Sequence, residues 1–203
     1  ARAAISVAQT SVPSAILYRI RRNAPAPVTV MDAVWQPWSE FPTAAITGDV
    51  VYGNGDGTNL DGCAAFTADL TGKVSVVNRG SCNFSLKVQN AEAAGAAMAI
   101  IALIAPGDPF EGGFGGGPFP GIPGFMVSQA NGNLLKAAGA NVTIDPNDPT
   151  ITIDLLDVIV GSSSRGPAFD LSYIKPNIGA PGASYSASSG DQSYSVFGGT
   201  SGA

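Results

Sequence analysis

The sequence predicts a β-rich α/β fold, and two observations carry that expectation. Glycine and proline number 26 and 15 among 203 residues, while charged residues make up only 12%. Such a chain has many turns between short strands and few long surface helices. Residues 73–104 then run as an apolar stretch, a stretch of helical period and a second apolar stretch. That is the order of a strand–helix–strand crossover with its helix packed on the sheet. Hydrophobic residues, at 45%, supply a core for one substantial domain, or one domain plus fragments.

Residues 1–12 read as a strand that ends in the turn Ser11-Val12-Pro13, and residues 15–20 as a short extended piece. Ala24-Pro25-Ala26-Pro27 marks a change of composition and a domain boundary. Residues 28–31 and 44–51 are strand-like, separated by a loop around Trp35, Pro37 and Trp38. Gly53-Asn54-Gly55-Asp56-Gly57 has the residue chemistry of turns. Strand 73–78 follows, then a helix from Phe84 with Phe84, Val88, Ala91 and Gly95 on one face and Lys87, Asn90 and Glu92 elsewhere. Asn83 is its expected cap and Gly95 its left-handed terminus. Residues 98–104 form a fully buried strand, and 105–124 a long Gly/Pro/Phe-rich surface loop. A short strand at 125–127 leads to a second helix, capped by Ser128, running through Ala138 and ended by Gly139. Strands at 142–144 and 151–160 complete the pattern.

Several function classes fall away. The net charge is −5, and the only basic cluster is Arg19, Arg21 and Arg22, so no nucleic-acid partner is expected. No stretch approaches the roughly 20 apolar residues of a membrane span, so no membrane partner is expected either. No secretion leader is visible, and the sequence is expected to be mature or cut from something larger. Gly113-Phe114-Gly115-Gly116-Gly117 follows a strand, but no helix N-terminus follows it, and a plain flexible loop is expected in place of a phosphate cradle. Asn54, Asp56, Asn59 and Asp61 alternate as calcium ligands do, without the distal bidentate Glu; turn-forming Asx chemistry accounts for them without metal. No cofactor and no metal site is expected. Cys63 and Cys82 flank the strand at 74–77, and a disulfide across its ends is expected to stabilise by roughly 3 kcal/mol and to imply an oxidising compartment. Two unrelated buried thiols are the other reading of the same pair.

The stretch Gly72-Lys73, Arg79-Gly80-Ser81-Cys82-Asn83-Phe84, then Lys87-Val88-Gln89-Asn90-Ala91-Glu92-Ala93-Ala94-Gly95-Ala96 resembles the protease-associated (PA) domain family. Ile122-Pro123 and Met126-Val127-Ser128-Gln129-Ala130-Asn131-Gly132 match the second part of its pattern. The resemblance covers roughly residues 45–157 and implies a small open β-barrel with two flanking helices and no catalytic residues. Such domains are inserted in or attached to proteases and receptors, where they influence substrate access or protein contacts.

A second resemblance lies outside that stretch. Ser163-Ser164-Arg165-Gly166-Pro167, Lys175-Pro176-Asn177-Ile178-Gly179-Ala180-Pro181-Gly182 and Gly199-Thr200-Ser201-Gly202-Ala203 are similar to the run leading to the nucleophile of subtilisin-like serine proteases (peptidase family S8). Residues 4–12 resemble a core strand of the same catalytic domain. Asn177 stands where that family usually has Asp, and Gly202 where Met is commoner. The implied organisation is a catalytic-domain flank at 1–26, a PA domain at 27–157 and a second flank at 158–203. By the resemblance Ser201 is the nucleophile and Thr200 supports the oxyanion, while the family's Asp, His and oxyanion-hole Asn fall before residue 1. A serine needs a neighbouring base to take its proton, and these 203 residues include no histidine. The chain alone is therefore expected to be inactive, as an accessory part of a secreted serine endopeptidase. Its expected partners are the protease's protein or peptide substrates, its own catalytic domain or a homodimer partner. The alternative is an autonomous protein-interaction or dimerisation module without a protease role.

Overall fold

The computed structural model describes residues 7–10, 14–154, 159, 163, 176–181, 183–187 and 194–198. The chain divides into two compact units, residues 16–151 and a smaller unit made of residues 1–15 and 152–203.

The strands in chain order are β1 (Val7–Thr10), β2 (Ser14–Ala24), β3 (Thr29–Trp35), β4 (Ile46–Tyr52) and β5 (Val74–Asn78). Helix α1 (Phe84–Ala93) follows, then β6 (Met98–Ala102), β7 (Gly124–Val127) and helix α2 (Gln129–Leu135). The chain continues through β8 (Asn141–Ile144), β9 (Ile151–Asp154), β10 (Ile178–Pro181), β11 (Ala183–Ala187) and β12 (Tyr194–Gly198).

In the larger unit seven strands form a ring in the order β3-β7-β6-β5-β4-β8-β2, and β2 pairs with β3 to close it. The β4–β5, β5–β6 and β6–β7 pairs are parallel, while β3–β7, β4–β8, β8–β2 and β2–β3 are antiparallel. The barrel is thus closed, where the family resemblance implied an open one.

The alternation of side chains explains the apolar runs. Along β6, Met98, Ile100 and Ala102 enter the barrel core, together with Val74, Val76, Phe125, Val127, Val142 and Ile144. Ala99 and Ile101 point the other way, into a second core with Val77, Met126, Val88 and Ala91. A central strand covered on both faces has no polar side to show, so it reads as a continuous apolar run. Each fully buried Val, Ile, Phe or Met contributes about 1.5–3 kcal/mol relative to exposure. Gly132 brings α2 close to β6, since a Cβ there would lie 2.4 Å from that of Ala102.

Both helices are shorter or differently capped than their sequence suggests. Helix α2 stops at Leu135, because the chain turns at 137–140 with Gly139 in the left-handed region at φ 72°. Ser128 caps it, its Oγ accepting from Asn131 N–H at 3.2 Å. Asn83 precedes α1 but makes no side-chain cap bond. Its amide donates instead to Gly115 C=O at 3.0 Å. Gly95 does take the left-handed conformation after α1, at φ 87°.

Strand β2 belongs to the barrel, with Arg22 opposite Thr29 on β3 and Ile20 opposite Ile144 on β8. The Ala24-Pro25-Ala26-Pro27 break is the turn between two paired strands; prolines that interrupt a ladder serve a hairpin as well as a linker. The compact unit that contains the barrel runs from 16 to 151.

In the smaller unit β1 and β10 pair in parallel, Val7 opposite Ile178 and Thr10 opposite Pro181. Gln9 N–H donates to Ser163 Oγ at 2.8 Å, and Thr10 bridges to Ile159. Strands β11 and β12 form an antiparallel pair. The expected strand at 151–160 is described as β9 to Asp154, and its residues 155–158 and 160 lie outside the described residues.

Candidate ligand-binding groove

The turn from β5 to α1 borders an open surface groove. Arg79 N–H donates to Ala102 C=O at 2.8 Å, which continues the β5–β6 ladder by one residue. The chain then reverses through Gly80 at φ 117° and Ser81 at φ 66°. A positive φ at Ser81 is costly for a residue with a Cβ, so neighbours must hold the turn. The Cys63–Cys82 disulfide, with Cα atoms 5.8 Å apart, is one of them. The Asp61 carboxylate, which accepts from Cys63 N–H at 3.2 Å, is another; the nearby Ser81 hydroxyl, with Cys63 N–H and the Lys87 charge, keeps that carboxyl below its usual range.

Lys87 is the third. The helical pattern set it apart from the buried face of α1, yet it is 0% exposed. Its Nζ donates to Asp61 C=O at 2.5 Å and to Gly80 C=O at 2.7 Å, and lies 3.3 Å from Cys63 Sγ. Burial pushes its pKa down from the ordinary lysine value, partly opposed by Asp61. Three residues, almost one turn, further on, Asn90 Nδ2 donates to Gly62 C=O at 2.9 Å. The Lys and Asn of the motif are therefore ties between α1 and the 61–63 loop.

Above this base lies a groove of about 490 Å³ lined by Arg79, Gly80, Ser81, Cys82, Asn83, Phe84 and Ile104. Ile104 is 55% exposed. The Arg79 guanidinium sits 5.3 Å from the centre of the Phe110 ring, which meets Phe84 edge-on at 6.0 Å. The walls thus offer one cation, a hydroxyl, an amide and apolar surface, a set suited to holding an extended chain rather than to moving protons. No histidine is available in the sequence to act as a base.

The glycine-rich loop at 105–123 is tied to its surroundings by hydrogen bonds from two other segments. Gln36, 0% exposed, accepts from Gly112 N–H at 2.7 Å and donates to Phe110 C=O at 3.0 Å. Trp38 Nε1 donates to Gly112 C=O at 2.6 Å. From α1, Ser85 Oγ accepts from Gly115 N–H at 3.2 Å, Gln89 Nε2 donates to Pro118 C=O at 2.6 Å, and Glu92 accepts from Gly121 N–H at 3.0 Å. The glycines permit this approach: a Cβ on Gly112 would lie 2.6 Å from the Phe84 ring. Exposed Phe114 and Phe119 stack at 4.7 Å on its surface.

The alternating Asx residues at 54–61 are engaged in turn bonds. Asp56 accepts from Thr58 N–H and Oγ, Asn54 accepts from Thr67 N–H, and Asn59 accepts from Ala64 N–H. Asp61 accepts from Cys63 N–H. Among the described residues no group of three His, Cys, Asp or Glu side chains could hold a metal. The expected nucleophile Ser201 and its neighbour Thr200 lie outside the described residues. No described helix is long and apolar enough to cross a membrane.

The β-barrel with two helices and a disulfide-closed turn defines an architecture of the PA type. Residues 46–135 match the family model described as the PA domain, and this part of the chain is a PA domain. The chain is 37% identical over 115 residues to the Minor extracellular protease Vpr of Bacillus subtilis (strain 168), covering 56% of this chain and 14% of that protein. It is 32% identical over 154 residues to the PII-type proteinase of Lacticaseibacillus paracasei, covering 68% of this chain and 8% of that protein. The chain therefore spans a small part of the length of the relatives it matches. Among solved structures, BSAP, a zinc aminopeptidase from Bacillus subtilis, superposes with a TM-score of 0.50 at 19% identity, over 73% of this chain and 33% of that one. That likeness concerns the fold alone.

Proposed function

We propose that the barrel is an accessory insertion in a secreted subtilisin-like serine endopeptidase, where it governs which polypeptides reach the catalytic cleft. The observation that supports this most is the pairing of β1 with β10. Strands that precede and follow the barrel in sequence are hydrogen-bonded neighbours, as expected when one domain is interrupted by another. The similarity to an extracellular protease over 115 residues agrees with it. The groove beside Arg79 and Ile104 is the surface that would meet an extended substrate.

In this reading Ser201 is the nucleophile of the longer protease, and its backbone amide together with Thr200 stabilises the oxyanion. Activation of Ser201 needs an imidazole that these 203 residues lack. The 203-residue chain should give no turnover of peptides. The longer protease should be labelled by a fluorophosphonate at Ser201 and lose the label in Ser201→Ala. Removing residues 16–151 from it should lower kcat/KM on intact proteins while leaving short peptides unaffected. Peptide turnover by the 203-residue chain, labelling that survives Ser201→Ala, or equal losses on both substrate classes would each refute the corresponding part.

A further inference from the structure

The two sulfurs of the disulfide stand in unlike surroundings. Cys82 lines the groove between Ser81 and Asn83, and Cys63 does not. Cys63 has the buried Lys87 Nζ 3.3 Å from its Sγ. Lys87 has three acceptors, the carbonyls of Asp61 and Gly80 and this sulfur, which match the three protons of an ammonium; a neutral amine would carry only two. The other charges near the pair are the Asp61 carboxylate and the Arg79 guanidinium on the groove wall.

We propose that the Cys63–Cys82 disulfide is a site of S-thiolation, opened by small thiols at Cys82 with Cys63 leaving as a thiolate held by Lys87. A thiolate entering the groove attacks Cys82 Sγ. A new sulfur–sulfur bond forms, the Cys63–Cys82 bond breaks, and its electron pair goes to Cys63 Sγ beside the ammonium. Exchange is faster through the sulfur that expels the better-stabilised thiolate, and an adjacent cation stabilises one. No electrons are gained or lost overall in this step. A second small thiolate attacks the mixed disulfide, releases the Cys82 thiolate and departs as its own disulfide, so the small thiol is the reductant. Until then Cys63 can displace the added thiol and restore the bond.

The test uses the whole 203-residue chain and glutathione under native conditions, with acid quenching, alkylation of free thiols and peptide mass mapping. Glutathione on Cys82 with the alkyl group on Cys63 should exceed the reverse pairing by about threefold or more, the scale on which one unit of thiol pKa acts in exchange. Lys87→Met should bring the ratio toward equality. Glutathione mainly on Cys63, an even distribution in the wild type, or an unchanged ratio in Lys87→Met would each overturn the assignment. If Lys87→Met does not fold, the wild-type distribution decides.

Discussion

Lys87 shows what a single residue can do beneath a turn. Its ammonium meets the carbonyls of Asp61 and Gly80, the second of which also accepts from Cys82 N–H at 2.8 Å, and a buried polar group left unsatisfied costs about 1–3 kcal/mol. Lys87→Met is therefore expected to lower stability by about 2 kcal/mol or more, read from the urea midpoint at neutral pH. The pH dependence carries a sign. The folded pKa of Lys87 lies below its ordinary value of 10.5, so between the two the unfolded chain binds more protons. Stability should rise with pH through that alkaline window, and Lys87→Met should flatten the rise, as pH-dependent urea curves would reveal. The position was legible in part. Lys87 lies three residues after Phe84 and four before Ala91, which places it beside the buried stripe. Its charge argued for solvent, and the carbonyls that reverse that argument come from 61 and 80, out of reach of any local pattern.

Among elements, β5, α1 and β6 were readable because each is governed by local periodicity. Two apolar runs bracket a helix whose small residues allow close packing on the sheet. The loop at 105–123 was not readable in the same way. Its glycines indicate freedom, whereas its hydrogen-bond partners Gln36, Trp38, Ser85, Gln89 and Glu92 come from two other segments. The glycines are needed for contact, not for mobility. Gly112→Ala should force Cβ against the Phe84 ring and destabilise by about 1–3 kcal/mol. Hydrogen exchange should also quicken at Gly112 and Gly115, whose N–H groups are held by Gln36 and Ser85. An unchanged midpoint and unchanged exchange would mean that the loop yields without loss.

At the scale of the molecule, two resemblances in the sequence pointed to a barrel set within another domain, and the function proposed above rests on the parallel β1–β10 pair. In the sequence β2 looks like a polar flank. Arg19, Arg21 and Arg22 alternate with Tyr18 and Ile20, and only pairing with β3 and β8 assigns the strand to the barrel. The barrel has its own cores and its own disulfide. A chain limited to residues 14–154 should fold alone, with one cooperative thermal transition and dispersed amide resonances. A chain starting at residue 27 lacks β2 and should not. Cooperative folding of the shorter chain would show that β2 is dispensable.

Because β2 and β3 join the two ends of the strand sequence, every ring strand of the barrel has a hydrogen-bonded neighbour on each side. Among the described residues the seven ring strands leave no free edge to extend, and the strand added to this sheet beyond the ring is β9, on β2; recognition by strand addition is not expected of the ring itself. Whatever it recognises must be read by side chains at its rims and turns. Changes in specificity among such barrels should consequently arise from loop substitutions that leave the staves untouched.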